Sequence, residues 1–246
     1  MKFDVVTIFP DLINQNLNFG IIGRAINEEK IQVSTHDPRK YSSKPTKRID
    51  DKPYGGGPGM VMEAEPIIKA IEKAKQNSKK PYVVYVSPQG SLFDQKKAIK
   101  LSKEKHLIFI SGRYEGIDQR VIDYCVDEEI SVGDYVLSGG ELPCLLLIDS
   151  ISRQIKGVLG DYDSVEKDSF YDGLLKHPQF TRPESSKYGK VPKVLLSGDH
   201  ETIRLWKKKQ SLLNTITKRP ELLKDVGLSD EEKNLLDEIK KDEEKT

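Results

Sequence analysis

Short apolar runs alternate with amphipathic segments through the first two-thirds of the chain. The runs that favour buried strands lie at 3–8, 31–35, 82–86 and 107–110. Segments with helical spacing of apolar residues lie at 10–17, 21–27, 63–76, 93–104, 117–125 and 142–153. Buried strands that alternate with helices are typical of a parallel sheet with helices on both faces. The pattern therefore predicts an α/β fold.

Turns rich in glycine or proline stand at three successive strand ends, at 87–90, 111–116 and 133–140. In a parallel α/β sheet, ligands bind beyond the carboxyl ends of the strands. The stretch 131–143 is the most distinctive, since three glycines surround the short apolar piece 135–137. Glycine lets the backbone approach a ligand closely, which would give a pocket with a main-chain floor. A pair of tight turns that joins a strand to a helix explains the same stretch equally well.

The loop 53–60 contains four glycines and two prolines in eight residues, so it cannot form a regular element. We interpret it as an exposed or ligand-approaching loop, with a flexible linker as the alternative. The sequence lacks both G-x-G-x-x-G after a strand and G-x-x-x-x-G-K-[ST]. A Rossmann dinucleotide site and a P-loop are therefore disfavoured.

The last third of the chain has a different character. We predict a first domain at 1–159, a polar linker at 160–173 and a small, mainly helical domain at 174–246. Asp199 is a suitable N-cap for a helix over 200–217, and the capping-box pattern at 229–232 begins a final helix. The helix over 200–217 is rich in Lys and Arg, which favours either a solvated face or a phosphate-binding patch.

Composition narrows the function classes. The net charge of the 246 residues is +1, so a nucleic-acid surface would have to be a local patch. Two cysteines and four scattered histidines indicate neither a disulfide framework nor a zinc site, and we assign no metal-ligating residues. The start of the chain lacks a signal-peptide pattern, and no apolar run approaches the roughly 20 residues that span a bilayer. We expect a cytoplasmic protein.

Seven motifs occur together and in order, and they carry a resemblance. They read P-Y-G-G-G-P-G-M, S-P-Q-G, G-R-Y-E-G-I-D, S-V-G-D-Y-V-L-S-G-G-E-L-P, D-S-F, H-P-Q-F-T-R-P and V-L-L-S-G-D-H. Over nearly the whole chain this set resembles the bacterial tRNA (guanine-N1)-methyltransferases of the TrmD type, which belong to the SPOUT class. The resemblance implies a deep trefoil knot in the C-terminal part of the catalytic domain, although chains generally avoid knots.

The resemblance also implies the reaction and the partners. The enzyme would transfer a methyl group from S-adenosylmethionine to N1 of the guanosine 3′ of the anticodon, at tRNA position 37. It would act as a homodimer in which each active site is built from both chains. Matched by position, the methyl-donor site would consist of Tyr85, Val86, Ser87, Pro88, Gly112, Tyr114, Glu115, Ser131, Val132, Gly133, Asp134, Tyr135, Val136, Leu137, Gly139, Gly140 and Pro143.

Three residues match catalytic positions of the family. Asp168 would be the general base that removes the N1 proton, and Arg153 would stabilise negative charge on guanine O6. Glu115 would help to hold the donor or a magnesium ion, which the family is reported to need. Without the resemblance, Asp168 is explained as a solvated linker carboxylate and Arg153 as a cation favoured by a helix C-terminus. A linker that becomes ordered when tRNA binds would explain a catalytic residue in irregular sequence.

The tRNA-binding surface is expected on the basic helix of the C-terminal domain, with the basic segment 39–52 as a second candidate. Two other functions stay open. A SPOUT methyltransferase that acts on another RNA would share the donor motifs, and a non-catalytic RNA-binding module would need the glycine loops alone. The residues expected to contact the anticodon arm are Arg204, Lys207, Lys208 and Lys209.

Overall fold

The computed structural model describes residues 1–76, 78–160, 166–224 and 226–243. The chain divides into two compact units, Met1–Tyr162 and Asp163–Thr246. This division falls near the start of the linker predicted at 160–173. Residues 161–165 of that linker lie outside the described residues, and the predicted domain limits stay a prediction.

A parallel sheet is the centre of the first unit. The strands of the unit are β1 (Lys2–Val6), β2 (Gln32–His36), β3 (Asp50–Asp51), β4 (Val61–Met62), β5 (Tyr82–Leu92), β6 (His106–Ser111) and β7 (Glu128–Ser131). Five of them form the sheet in the order β2-β1-β6-β5-β7, with every neighbouring pair parallel. The remaining two, β3 and β4, form a short antiparallel pair. The predicted α/β class with a parallel sheet is thus confirmed.

Helices cover both faces of this sheet. They are α1 (Pro10–Asn16), α2 (Gly20–Asn27), α3 (Ala64–Lys75), α4 (Gln95–Leu101), α5 (Gln119–Cys125) and α6 (Glu141–Ser152). Side chains alternate between the faces along each strand. Phe3 and Phe109 accordingly face a core shared with α1, α2, α4 and α6. Val83 and Ile108 face the other core, which α3 and α5 complete.

The sequence predicted that the turn 87–90 ends a strand. In the structure β5 continues beyond this turn to Leu92. Ile130 of β7 pairs with Val86 before the turn and with Ser91 after it, so the four residues between them bulge out of a continuous ladder. Proline has no N–H to give to a ladder, and the bulge accommodates Pro88 for that reason. The bulge projects residues 87–90 from the edge of the sheet where a ligand would bind.

The sequence predicted that a strand ends at the turn 133–140 but gave no bounds for it, and β7 is that strand. Its sequence Glu-Glu-Ile-Ser begins with two carboxylates, and Ile130 is its only large apolar residue. An edge strand can carry such polar residues because one of its sides lacks a neighbouring strand. Helix α4 is shorter than the predicted 93–104, since Asp94 caps its N-terminus by accepting a hydrogen bond from Lys97 N–H.

The second unit is mainly helical in its described part. It contains the helices α7 (His200–Lys218) and α8 (Asp230–Glu243) and the short strands β8 (Ser185–Ser186) and β9 (Gly189–Lys190). Leu174, Leu212 and Ile239 are buried in its small core. Both helix starts follow the sequence prediction. Asp199 accepts hydrogen bonds from two N–H groups of α7, and Ser229 and Glu232 form the capping box of α8. Within the described residues, no helix is both long enough and apolar enough to span a membrane.

Candidate active site

A cavity of about 310 Å³ lies at the carboxyl ends of β5, β6 and β7. Its walls are the bulge of β5, the loop 112–116 after β6 and the segment 130–140 that leads into α6. This volume falls at the lower end of the roughly 300–1,000 Å³ that is usual for small-molecule sites. We call it the strand-end cavity. The parallel topology brings three segments together here that are far apart in the sequence.

Two glycines let the segment before α6 approach the end of β6 closely. Gly140 N–H donates to Gly112 O over 3.0 Å. A Cβ atom on Gly140 would lie 2.7 Å from Val86 Cγ2 and 2.9 Å from Ser111 Cα. A Cβ atom on Gly112 would lie 2.8 Å from the Tyr85 hydroxyl. Main chain therefore forms part of the cavity wall at points where any other residue would clash, which supports the pocket interpretation of 131–143.

The glycine-rich loop 53–60 ends beneath the loop 112–116. Glu115 N–H donates to Met60 O over 2.9 Å, and Met62 N–H donates to Gly116 O over 3.0 Å. A Cβ atom on Gly59 would overlap the Glu115 side chain. Tyr114 has a φ of 61°, which is uncommon for a residue other than glycine. The sequence predicted an exposed or ligand-approaching loop; most of the loop is exposed, and its end at Met60 supports one wall of the cavity.

The strand-end cavity gathers nearly all of the predicted methyl-donor residues. Asp134 is exposed and is not among the lining residues. The cavity also contains residues that the sequence analysis did not select, namely Gln89, Arg113, Gly116, Ile130 and Ser138. These residues lie within or next to the recognised motifs, so their positions beside selected residues could have indicated them. The predicted residues that line it are Tyr85, Val86, Ser87, Pro88, Gly112, Tyr114, Glu115, Ser131, Val132, Gly133, Tyr135, Val136, Leu137, Gly139, Gly140 and Pro143.

Tyr85 presents a neutral hydroxyl to this cavity. Its side chain is buried, and burial raises the pKa of Tyr85 above its ordinary value, with the Glu129 carboxylate adding to the rise. A buried phenol of this kind donates a hydrogen bond and carries no charge. Tyr85 therefore adds a polar but uncharged group to the wall of the cavity.

The predicted catalytic residues Arg153 and Asp168 lie in different units. Arg153 is half-buried at the C-cap of α6, and its N–H donates to Asp149 O over 3.1 Å. Asp168 is half-buried, and its Oδ1 lies 2.9 Å from Lys176 Nζ. Asp168 is thus an ion-paired residue, although the sequence pattern alone indicated a solvated carboxylate.

Helix α7 anchors the segment that carries Lys176. Leu175 N–H donates to Thr215 Oγ1 over 3.0 Å, and Asn214 Nδ2 donates to Lys176 O over 2.9 Å. The Ser211 hydroxyl donates to Leu175 O. These side chains of α7 therefore fix the backbone from which Lys176 reaches Asp168.

Most cations that were predicted to bind RNA have acidic partners on or near α7. Arg204 pairs with Glu201 and Glu231, and Lys208 pairs with Glu231. Hydrogen bonds from Arg204 and then Lys208 lower the pKa of Glu231 to about 2. Lys209 lies 3.3 Å from Glu238. The pattern of the basic helix alone does not reveal these partners, because α8 supplies the carboxylates of Glu231 and Glu238.

Lys207 differs from its neighbours on α7. It is exposed and makes no ion pair with any residue in the described part of the chain. The second basic candidate, the segment 39–52, resembles the paired cations instead. Its charged side chains include Lys44, which contacts both Asp51 and Glu63, and Arg48, which contacts Asp50.

Comparison with known proteins assigns the family. A family model described as tRNA (Guanine-1)-methyltransferase TrmD matches residues 1–225. A tRNA (guanine-N(1)-)-methyltransferase of Buchnera aphidicola is 51% identical, with 97% of this chain and 91% of the relative covered. The enzyme of the same name from Clostridium novyi is 50% identical, with 96% of this chain and 97% of the relative covered. The chain belongs to the TrmD family of tRNA (guanine-1)-methyltransferases. The resemblance seen in the sequence motifs is confirmed.

Membership of the TrmD family makes this chain an enzyme that methylates guanine N1 in tRNA. The strand-end cavity can be tested for the methyl donor that such an enzyme uses, S-adenosylmethionine. Its volume suits a small molecule, and the glycine main chain at Gly112 and Gly140 leaves space that a Cβ atom would fill. The lining combines aromatic and apolar side chains with polar main-chain groups. The residues present therefore fit the donor.

The described residues do not form a magnesium site that would match the fit of the strand-end cavity to the methyl donor. The described residues contain no group of three or more His, Cys, Asp or Glu side chains that could hold a metal ion. Magnesium prefers several oxygen ligands in octahedral geometry, commonly with substrate phosphates or water among them. Glu115 by itself does not supply such a set, and we assign no step to the ion.

Proposed function

We propose that this TrmD-family enzyme binds S-adenosylmethionine in the strand-end cavity and methylates N1 of guanosine 37, directly 3′ of the anticodon. The observation that carries the proposal is the convergence of the predicted donor residues on one cavity with a glycine main-chain wall. Position 37 follows from the family. The bound donor would supply a methyl group activated by a positively charged sulfur.

Asp168 is proposed as the general base. Guanine N1 carries a proton, and loss of that proton gives the nitrogen an electron pair for the methyl group. A well-placed base contributes about 10²- to 10⁴-fold to such a step. Asp168 Oδ1 lies 2.9 Å from Lys176 Nζ, so this ion pair holds the carboxylate in a defined position. Binding of tRNA would bring the N1–H of the guanine to it.

Arg153 is proposed to stabilise the charge that remains on the base. Removal of the N1 proton leaves negative charge that is shared with guanine O6. A guanidinium is permanently protonated and offers several N–H donors in one plane. Placed against O6, it would stabilise the charge as it develops, which is the form of electrostatic stabilisation that contributes most in many enzymes. The half-buried position of Arg153 at the end of α6 favours this role.

A homodimer is proposed as the active form. Leu142 and Leu146 are 59% and 42% exposed, and they are one helical turn apart on α6. Phe19 is 77% exposed. Apolar side chains of this size on one helix face are common at interfaces between subunits. We propose that a second copy of the chain covers α6, so that Arg153 of one chain and Asp168 of the other serve one site.

The trefoil knot of the SPOUT class is likewise proposed. Its support is the close passage of the segment 131–140 beside the loop after β6, through the hydrogen bond from Gly140 N–H to Gly112 O.

We also propose that the enzyme works in the cytoplasm, where tRNA is modified. Lys207 and its neighbours on α7 are proposed to contact the anticodon arm, with Glu115 as a donor-binding residue.

Transfer of labelled methyl from S-adenosylmethionine to an unmodified tRNA tests the function. The substrate carries guanosines at positions 36 and 37, and the matched control tRNA carries adenosine at 37. We expect label in the first tRNA alone, at guanine N1. Label in neither tRNA, with donor binding intact, would instead indicate a SPOUT enzyme for another RNA. Absence of donor binding would leave a non-catalytic RNA-binding module.

A further inference from the structure

A buried ion pair lies directly behind the strand-end cavity. Glu141, in the first turn of α6, is 1% exposed, and its Oε2 accepts from Arg113 Nε over 2.8 Å and lies 2.7 Å from Arg113 Nη2. Its Oε1 accepts from Thr7 Oγ1 over 2.8 Å. All of these partners belong to the first unit. We call them the Thr7–Glu141–Arg113 network.

The network joins three segments that meet at the carboxyl end of the sheet. Arg113 belongs to the loop after β6, and Glu141 begins α6. Thr7 directly follows β1, and its Oγ1 also accepts from Phe9 N–H over 2.9 Å. The Arg113 guanidinium stacks 4.6 Å above the Phe9 ring. The Glu141 carboxylate and the Phe9 ring together fix the position and the plane of the Arg113 guanidinium.

The guanidinium of Arg113 in turn positions the turn 138–140, which forms part of the wall of the cavity. Its Nη1 donates to Ser138 O over 3.0 Å, and Ser138 lines the strand-end cavity. Gly139 lies so close to the Arg113 side chain that a Cβ atom there would overlap it. The turn 138–140 is therefore held against a guanidinium whose own place depends on Glu141. Glu141 itself is not among the lining residues.

Stability alone is a weak explanation for this arrangement. Buried ion pairs can commonly be replaced by apolar residues without loss of stability, because removal of two charges from water opposes their attraction. A hydrogen-bonded pair does specify one geometry, whereas an apolar contact tolerates several. The position of the Ser138 carbonyl is the feature that the network specifies.

We propose that Glu141 is a positioning residue for methyl-donor binding, acting through Arg113 on the turn 138–140 of the strand-end cavity. Thr7 supports it by holding the second carboxylate oxygen. This inference rests on the proposed function, in which the cavity is the S-adenosylmethionine site. The donor then meets a turn that is already in place, so little binding energy is lost in ordering it.

Calorimetric titration with S-adenosylmethionine tests the role of Glu141. A glutamine has one acceptor oxygen in place of two, so it cannot accept from Arg113 and Thr7 in the present geometry. Glu141→Gln should raise the donor Kd about tenfold or more, while turnover at saturating donor stays much closer to that of the wild type. A donor Kd equal to that of the wild type would overturn the proposal.

Thr7 provides a milder, matched pair of variants. Thr7→Val removes the hydroxyl and keeps the shape, whereas Thr7→Ser keeps the hydroxyl. We expect a donor Kd raised by about threefold for Thr7→Val and restored by Thr7→Ser. This pair decides the matter if Glu141→Gln does not fold, and equal affinities of the two Thr7 variants would contradict the proposal.

Asp4→Asn is the control for stability. Asp4 is a buried carboxylate of β1 that accepts from His106, the first residue of β6, and neither residue lines the strand-end cavity. We expect this variant to melt at a lower temperature with an unchanged donor Kd. If the donor Kd rises in proportion to the loss of melting temperature in every variant, including Asp4→Asn, Glu141 has only a structural role. Failure of the wild type to bind the donor would instead remove the proposed function together with this inference.

Discussion

At the residue scale, Asp4 shows how a charge is kept inside the sheet. Its side chain is fully buried, and its oxygens accept from His36 Nε2 over 2.7 Å and His106 Nε2 over 2.5 Å, with Lys2 Nζ at 2.8 Å. Burial by itself would raise the pKa of Asp4, but the hydrogen bonds from His36, Lys2 and His106 outweigh it and lower that pKa below 3.8. The cluster therefore holds an ionised carboxylate.

His106 titrates in the same sense. Burial lowers the pKa of His106 below its ordinary value of 6.5, although the Asp4 carboxylate opposes the change. For both groups the pKa in the folded state lies below that in the unfolded state. Their stabilising contribution is therefore complete above the unfolded pKa and is lost as the pH falls through the folded value. The loss begins below about pH 6.5 for His106 and below about pH 3.8 for Asp4.

We predict that the free energy of unfolding falls between pH 7 and pH 5 and that His106→Gln reduces this fall. The variant should also lose about 1–2 kcal/mol at pH 7, since it disturbs a buried hydrogen bond to a charged group. Urea denaturation at several pH values measures both effects. His200 is exposed, and His200→Gln serves as the control with the slope of the wild type. Equal slopes for His106→Gln and the wild type would show that His106 is not responsible.

At the element scale, pairing distinguishes the cations of α7. Arg204 and Lys208 would have to leave Glu231 before they could contact a phosphate, and that exchange cancels much of the gain. Lys207 is exposed and makes no ion pair within the described residues, so its contact with a phosphate replaces only water and counterions. The number of cations on α7 is therefore larger than the number that can contact RNA phosphates without breaking an ion pair.

We predict that Lys207→Ala weakens tRNA binding more than Lys208→Ala does. The Lys207 variant should also lower the slope of log K against log salt by about one, which is the value for one lost phosphate contact. Filter binding at several salt concentrations measures the slope. A larger effect of Lys208→Ala would indicate that tRNA displaces Glu231 and uses the paired cations.

The elements also show how far a sequence pattern reaches. The capping signals at Asp199 and Ser229 depend on neighbouring residues alone, and both predicted helix starts are confirmed. The turn at 133–140 indicated that a strand ends there, but the bounds of β7 depend on its pairing with β5, because only Ile130 in it is strongly apolar. The bulge of β5 depends on the same pairing. Local chemistry was predictable here, and long-range pairing was not.

At the scale of the whole molecule, the motifs predicted which loops lie together, but they did not predict the side-chain contacts that hold these loops in place. Residues from the turns at 87–90, 111–116 and 133–140 line one cavity, as expected for a parallel sheet. The contact of Arg113 with Glu141 and Thr7 spans distant parts of the chain, and no spacing rule could predict it. The ion pair of Asp168 with Lys176 was missed for a related reason, since α7 positions Lys176.

Subunit mixing tests the proposed sharing of sites. Arg153→Ala and Asp168→Ala should each abolish turnover as homodimers, and Asp168→Ala should still bind the donor. If the two residues of one site come from different chains, a mixed dimer contains one intact site. Reassembly of equal amounts would then recover about a quarter of the wild-type rate, because half of the dimers are mixed. Formation of mixed dimers without recovery of turnover would place both residues on one chain.

Donor binding by Gly140→Ala, measured by calorimetry with S-adenosylmethionine, tests whether the strand-end cavity is the donor site. The added Cβ atom would meet Val86 Cγ2 at 2.7 Å and Ser111 Cα at 2.9 Å, so the wall of the strand-end cavity must move. Gly227→Ala is the matched control, since among the described residues, its two chain neighbours aside, no heavy atom lies within 4 Å of its Cβ position. We predict a Kd raised by about tenfold or more for Gly140→Ala and an unchanged Kd for Gly227→Ala. Wild-type affinity in a folded Gly140→Ala enzyme would show that the donor binds elsewhere.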